Sequence, residues 1–327
     1  MLKDQYTTFT DSEIGSKLKR PVLVTSINES IARNGKPFLN ITMKDGFTEI
    51  VAKMFDTNLA RLDILGVKQN SVADVEISVN EFQGGKSFIV NKIGPNGNSE
   101  ITINDFIKMP PVDTELMFNE ICDMLNACAD TTGDKLPLSN LAITILTHYK
   151  EKFTTSSAAI SMHHALRGGL IYHTYRMMKA ADKLCEIYSS ELDKELLLCG
   201  TALHDIGKLW EYKTDLSGSA EFTSSGVLFG HLYLGASIVE RFSSGKNYNK
   251  EKIRMLIHLI LSHHGTREFG AIQTPAIAEA FVLCYIDNID AKVYMCDDIT
   301  STLEPGTMTD KRPYGVENRL YRNDYST

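Results

Sequence analysis

The sequence predicts two domains of different class, an all-β barrel followed by an all-α domain. Three observations predict it. A chain of 327 residues is too long for one ordinary core. Its first hundred residues alternate apolar and polar positions between hairpin turn signals. From Thr114 onward, apolar residues recur three and four apart. The expected boundaries are a barrel over 1–100, a linker and helical connector over 101–155, and a second domain over 156–327.

In the barrel, residues 20–27 are β-branched and apolar, and 38–43 and 47–55 alternate around Asp45-Gly46, a strong hairpin signal. A short helical run, 57–65, follows. Residues 72–82 and 86–93 are joined at Gly84-Gly85, a second hairpin signal. Three strands, a helix and two strands is the element order of an OB barrel. Gly94-Pro95-Asn96-Gly97-Asn98 ends it, and Met109-Pro110-Pro111 marks a second break. Arg33, Lys36, Phe38, Lys53, Phe55, Lys86 and Phe88 interleave basic and aromatic side chains on strands that such a barrel offers to single-stranded nucleic acid. Base stacking on rings of this kind contributes roughly 1–3 kcal/mol each and needs no particular sequence. Alternation also directs half of the rings into the core, so each phenylalanine has a structural reading beside the binding one.

Helical spacing covers 114–129, 138–153, 169–188, 194–204, 231–242, 250–262 and 275–296. Gly200, Gly207, Gly230 and Gly265 read as stop signals at or near the ends of these helices. His148 and His258 lie in apolar helical stretches without a motif and read as core or partly buried residues.

Composition excludes several classes. With 43% hydrophobic and 23% charged residues there is ample apolar material for large cores. The apolar stretch 253–261 is broken by Arg254 and His258 and is too short to cross a bilayer, so no membrane association is expected. The N-terminal segment lacks the basic start and apolar centre of a secretory signal, which predicts a cytoplasmic protein. Six cysteines without a CxxC pair read as reduced thiols rather than zinc ligands or disulfides. Residues 1–100 carry 12 basic and 12 acidic side chains, against 22 and 29 in residues 101–327, so the net charge of −7 belongs to the helical half. An acidic half that binds a polyanion needs cations, or a neutral partner domain, to offset repulsion.

Seven of the nine histidines fall in four clusters: His163, His164 and His173 in HHALRGGLIYHT, His204 in LHDIGK, His231 in GHLYLG, and His263 with His264 in SHHG. A carboxylate pair, Asp287 and Asp290 in YIDNID, comes last. Imidazole with carboxylate suits Mn²⁺, Fe²⁺, Co²⁺ or Zn²⁺. Adjacent His204 and Asp205 can approach one cation from a helix end, and a bridging Asp205 would hold a second cation roughly 3.5–4 Å away.

In their order and wording, HHALRGGLIYHT, LHDIGKLWE, GH, LILSHHGTREFG and YIDNIDAK resemble the HD phosphohydrolase superfamily over roughly residues 160–300, and within it the YhaM-type 3′-to-5′ exoribonucleases. That branch carries an OB domain ahead of an all-α HD domain. The resemblance implies that His173, His204, Asp205 and Asp287 hold a first metal and that His231 and His263 hold a second, without choosing between His263 and His264 for the inner position. Lys208 resembles the lysine that HD enzymes aim at the substrate phosphate, which would make Asp205 and Lys208 the catalytic pair; a solvated lysine at a helix end is the other reading. His163 and His164 would line the substrate path or cap a helix, and Asp290 would orient a ligand or stand as an exposed or capping carboxylate. The implied activity is two-metal hydrolysis of single-stranded RNA, and of single-stranded DNA where the sugar is not read, releasing nucleoside 5′-monophosphates, with Mn²⁺ preferred and a homo-oligomer as a candidate assembly. Two alternatives stand beside it: an HD hydrolase of small nucleotides, and a non-catalytic nucleic-acid-binding module.

Overall fold

The structure, a computed structural model, describes residues 5–32, 34–107, 109–159, 166–215 and 218–325. The chain divides into two units, Met1–Met109 and Pro110–Thr327.

The first unit contains β1 (Lys17–Ile31), β2 (Pro37–Lys44), β3 (Glu49–Phe55), α1 (Leu59–Ile64), β4 (Ser71–Phe82) and β5 (Gly85–Pro95), closed as a barrel in the order β1-β2-β3-β5-β4. This is the OB arrangement that the element order predicts. At 15 residues, β1 is long enough to pair antiparallel with β4 through its first half and with β2 through its second. A register shift between Val24 and Ser26 lets it bend between the two. The barrel closes by parallel pairing of Ala52 with Phe88 and Lys53 with Ile89. On β2 the period of two is strict: Leu39, Ile41 and Met43 are fully buried while Phe38, Asn40 and Thr42 face outward.

Both turn signals hold hairpins, with one shift. Asp45 is itself buried; its Oδ1 accepts from the Phe47 and Thr48 amides at 2.9 and 2.7 Å, and its Oδ2 accepts from the Phe9 amide at 2.6 Å and lies 3.3 Å from buried Arg20 Nη1. The charge is therefore paired and hydrogen-bonded, the condition for burying it. The second hairpin turns at Gln83-Gly84, where φ is 52° and 79°, and Gly85 already pairs with Phe82. Two consecutive positive φ angles are what a two-residue turn between twisted strands requires, so the loop sits one residue earlier than the glycine pair suggests.

The second unit contains α2 (Thr114–Ala127), α3 (Leu138–His148), α4 (Lys150–Thr155), α5 (Gly169–Ile187), α6 (Lys194–Leu203), α7 (Lys208–Glu211), a hairpin of β6 (Tyr212–Thr214) and β7 (Ala220–Phe222), α8 (Ser224–Ser243), α9 (Lys250–Ser262) and α10 (Ala278–Thr300). Side chains between residues 117 and 286 share one core, from Met117, Ile121, Leu141 and Ile145 through Leu170, Met177 and Leu197 to Val239, Leu259 and Leu283. The segment expected as a connector thus contributes α2, α3 and α4 to that core. None of the helices searched among the described residues is long and apolar enough to cross a membrane.

Four expectations change here. The helix expected over 138–153 is two, bent at Tyr149, whose ring packs edge-on against Trp210 at 4.7 Å. The helix expected from His231 does resume there after the break at Gly230, but α8 carries a further segment ahead of the break, capped by Thr223, in which exposed Val227, Leu228 and Phe229 leave no inward apolar stripe to read in the sequence. Gly200 lies inside α6 rather than at its end: a Cβ there would stand 2.2 Å from Leu259 Cδ2, so the glycine allows α6 and α9 to approach. His148 is exposed, its ring against Tyr149 and Phe242.

Candidate metal centre

The close approach at Gly200 determines what the ends of α6 and α9 can do. His204 and His263 occupy the C-terminal cap positions of these two helices, and their ring centroids lie 4.9 Å apart. Each ring is set by its own helix: His204 Nδ1 donates to Thr201 O at 2.8 Å and His263 Nδ1 to Ile260 O at 2.9 Å. The Nδ1 proton is thereby fixed and Nε2 is left as the lone pair directed inward.

Three further elements complete the cluster. His173 comes from α5, with Nε2 3.2 Å from Asp287 Oδ1 and Nδ1 2.7 Å from Asp290 Oδ2, both aspartates on α10. Asp290 also accepts from Arg176 Nε at 2.7 Å, so it orients His173 from behind. His231 comes from α8 just after Gly230, whose φ of 68° and ψ of 158° break the helix. Gly207 permits its approach; a Cβ there would stand 2.0 Å from His231 O and 2.7 Å from Gly235 N.

Asp205 lies at the centre and divides its oxygens. Oδ2 is 3.3 Å from His204 Nε2 and 3.9 Å from His173 Nε2; Oδ1 is 3.5 Å from His231 Nε2 and 3.7 Å from His263 Nε2. Lys208 Nζ is 2.7 Å from Oδ2. His264 joins the Oδ1 side, with Nε2 3.2 Å from His231 Nε2. Three groups of ligand atoms lie within 4.8 Å of one another: His173, His204 and Asp287; His204, Asp205 and His263; His231, His263 and His264.

The electrostatics agree with a cation-binding cluster. Burial pushes the Asp205 carboxyl up, but Lys208 and His204 outweigh it and hold the group well below the ordinary range. Asp287 is held down in the same way, burial being overcome by its bond to His173. His173 rises to about 9, because its bonds to Asp287 and Asp290 outweigh a burial that opposes its charge. Burial, aided by the neighbouring imidazoles, pushes His263 and His264 down, leaving them neutral.

The residues fit a divalent cation. Among the described residues, His204 Nε2 and Asp205 Oδ1 are buried with no hydrogen-bond partner, a condition that costs about 1–3 kcal/mol for each such group and that coordination would relieve. The donors are imidazole nitrogens and carboxylate oxygens with no thiolate, the set suited to Mn²⁺, Fe²⁺, Co²⁺ or Zn²⁺.

All six expected ligands therefore converge, together with His264, Lys208 and Asp290. His163 and His164 lie outside the described residues, as does Arg33 of the barrel. Glu211 escaped the sequence reading: buried at the end of α7, it accepts from the His231 amide at 3.0 Å through Oε1, and its Oε2 lies 2.9 Å from His231 Nδ1. Its only signal is a place seven residues beyond His204.

On the barrel, Phe38 and Phe55 form a cross-strand pair with ring centroids 5.7 Å apart, and Lys53 Nζ is 6.0 Å from both the Phe38 and Phe82 rings. Lys36 is exposed and paired with Asp56, and exposed Lys86 donates to Thr10 O. Phe88 is a correction: it is 8% exposed and packs on Phe9 inside the barrel, so it presents no surface to a strand. Phe82, 63% exposed, stands beside Lys53 instead.

Residues 170–292, which include His173, His204, Asp205, His231, His263, His264, Asp287 and Asp290, match the family model described as HD domain. The chain is 31% identical over 312 residues to the 3'-5' exoribonuclease YhaM of Geobacillus sp. (strain WCH70), covering 94% of this chain and 92% of that one. It is 30% identical to the 3'-5' exoribonuclease YhaM of Bacillus subtilis (strain 168) over 310 residues, 94% of this chain and 95% of that protein. Among solved structures, the second OB-fold domain of replication protein A from Methanococcus maripaludis aligns at 18% identity over 28% of this chain and 95% of that one, with a TM-score of 0.23.

Proposed function

Since the chain belongs to the YhaM-type exoribonuclease family and pairs an OB barrel with the HD domain of a metal-dependent hydrolase, we propose that it removes nucleotides from the 3′ end of single-stranded RNA, using two divalent cations. The observation that supports two cations is the division of Asp205, with one oxygen toward His173 and His204 and the other toward His231 and His263. A carboxylate divided in this way would serve two cations at once. His264 beside His231 supplies the second side with a further nitrogen. Mn²⁺ is the preferred ion on donor type.

Bound divalent cations supply acidification of a water and withdrawal of charge from the phosphoryl group. The chain's own residues do the rest. His263 and His264, kept neutral by burial, keep lone pairs available at physiological pH. Lys208, buried against Asp205, offers its ammonium to a non-bridging phosphoryl oxygen as charge develops there. Phe38, Phe55 and Phe82 with Lys53 offer the strand sequence-independent stacking and one positive charge. The products are nucleoside 5′-monophosphates, and single-stranded DNA serves as well, since stacking alone does not read the 2′-hydroxyl.

The test is incubation of purified protein with 5′-labelled single-stranded RNA or DNA, or with free nucleotides, in Mn²⁺ or chelator. A Mn²⁺-dependent descending ladder from RNA is expected. Turnover of free nucleotides alone, or retardation without cleavage, would replace this reading with a small-nucleotide hydrolase or a binding module. Asp205→Ala should abolish cleavage while RNA retention by the barrel persists; cleavage at near wild-type rate would reject the centre.

A further inference from the structure

Four inward-facing histidines of the cluster have Nδ1 within 2.9 Å of an oxygen, and the oxygens differ in kind. His204 and His263 use carbonyls one turn back in their own helices. These acceptors cannot be lost while the helices stand. His173 and His231 rely on carboxylates from distant segments, Asp290 and Glu211.

His231 is the more exposed to error of the two. It follows Gly230, where the backbone leaves the helical region, so no preceding turn of regular helix supplies a carbonyl to its ring. Glu211 takes over both jobs: Oε1 receives the His231 backbone N–H at 3.0 Å, and Oε2 stands 2.9 Å from Nδ1. The chain around it is shaped for this contact. The Thr223 amide donates to Glu211 O at 2.9 Å, and a Cβ on Gly226 would stand 2.3 Å from that same oxygen. The first turns of α8 thus close over Glu211 before Gly230 turns His231 inward.

We propose that Glu211 is the positioning residue for His231, holding Nδ1 protonated and Nε2 as the free lone pair toward Asp205 and His264, and thereby governing occupancy of the cation position bounded by His231, His263 and His264. The effect on occupancy rests on the two-cation reading above; the effect on the ring does not. Glu211 touches neither substrate nor reacting atoms. Its loss leaves the position formed by His173, His204 and Asp287 with its own ligands and orienting groups intact.

Glu211→Gln separates positioning from bulk. The amide keeps the side chain's volume and its carbonyl still receives the His231 backbone N–H, but it turns an NH₂ toward Nδ1, and a donor there favours the tautomer with the proton on Nε2. In chelated wild-type protein at pH 8, ¹⁵N NMR should report the His231 Nε2 as the unprotonated ring nitrogen, and in Glu211→Gln as the protonated one. Native mass spectrometry with Mn²⁺ should show two cations on wild type and one on the variant, the second binding 10–100-fold more weakly. His231→Ala should weaken that second cation at least as much, and adding Glu211→Gln to it should cost no more, since the glutamate acts through the histidine. An unchanged tautomer, or additive losses in the double variant, would overturn the proposal. A wild type that loads a single cation would instead remove the two-cation reading, and the tautomer comparison would still decide what Glu211 does.

Discussion

His173 gives the sharpest quantitative prediction. Its ring is fully buried, with Asp290 Oδ2 2.7 Å from Nδ1 and Asp287 Oδ1 3.2 Å from Nε2. Burial opposes charge on the ring, but the two carboxylates outweigh it and lift the pKa from 6.5 to about 9. A ligand nitrogen must shed its proton before it can hold a cation. At pH 7.5 the ring is therefore almost wholly protonated, and the proton weakens the apparent cation affinity of the His173 side by about 30-fold, roughly 2 kcal/mol. Affinity should rise by about tenfold per pH unit up to pH ~9 and then level off. Stability follows the opposite course in chelated protein. A raised folded-state pKa contributes in full below the unfolded value of 6.5 and is lost as pH climbs through about 9. The loss amounts to about 3 kcal/mol. The lowered Asp287 reflects the same contact and is not added to it. NMR of the His173 ring in chelated and Zn²⁺-loaded protein, calorimetric titration from pH 6.5 to 9, and urea unfolding with chelator from pH 6 to 10 would measure all three. A neutral His173 in chelated protein at pH 7.5, or an affinity flat across that range, would refute the reasoning.

Two further predictions concern the scaffold and the barrel. Gly207→Ala places a methyl within 2.0 Å of His231 O; because backbone must move, the cost should fall at or above the upper end of ~1–3 kcal/mol for overpacking. Urea unfolding reads that cost, and native mass spectrometry should show weakened binding of the second cation. Phe88→Ala and Phe55→Ala should differ in kind. The first removes a buried ring and costs about 3–5 kcal/mol of stability, with no specific effect on RNA retention. The second, at a ring 48% exposed, leaves stability nearly intact and weakens single-strand retention by an amount matching roughly 1–3 kcal/mol of lost stacking. Equal effects on retention at equal folded fraction would show that the Phe38–Phe55 face is not where the strand lies.

What was legible in the sequence follows from how local each determinant is. His204 with Asp205, and His263 with His264, are neighbours in the chain at helix ends, so a short word carries them. The element order of the barrel was legible for the same reason, since each strand is bounded by its own turn residues. Sequence alternation states that Phe88 and its neighbours face opposite sides, but not which side is inward. That depends on its pairing with Val79 across β4 and β5 and on the register shift between Glu76 and Ile77, both set by tertiary contacts. Glu211 ends the word LHDIGKLWE, but nothing in that word shows its role, because its partner, His231, is 20 residues away and the contact exists only after α8 has bent at Gly230. Gly200 was misread because a glycine that admits a neighbouring helix and one that ends its own helix look alike in a single sequence.

The cluster also shows how the helical half accommodates its buried acid. Of its carboxylates, Asp205, Glu211, Asp287 and Asp290 are directed at imidazoles, and Lys208 and the His173 proton offset them. Those counter-charges are provisional, since His173 must lose its proton to become a ligand. The permanent frame is instead apolar and steric: Leu259 against Gly200, His231 O against Gly207, Cys284 against Gly265, each an approach that a single Cβ would block. Helices held at such distances keep five ligand-bearing segments in place whether or not the charges are balanced. A cation then meets donors already oriented, and its binding free energy is spent on affinity rather than on ordering the site.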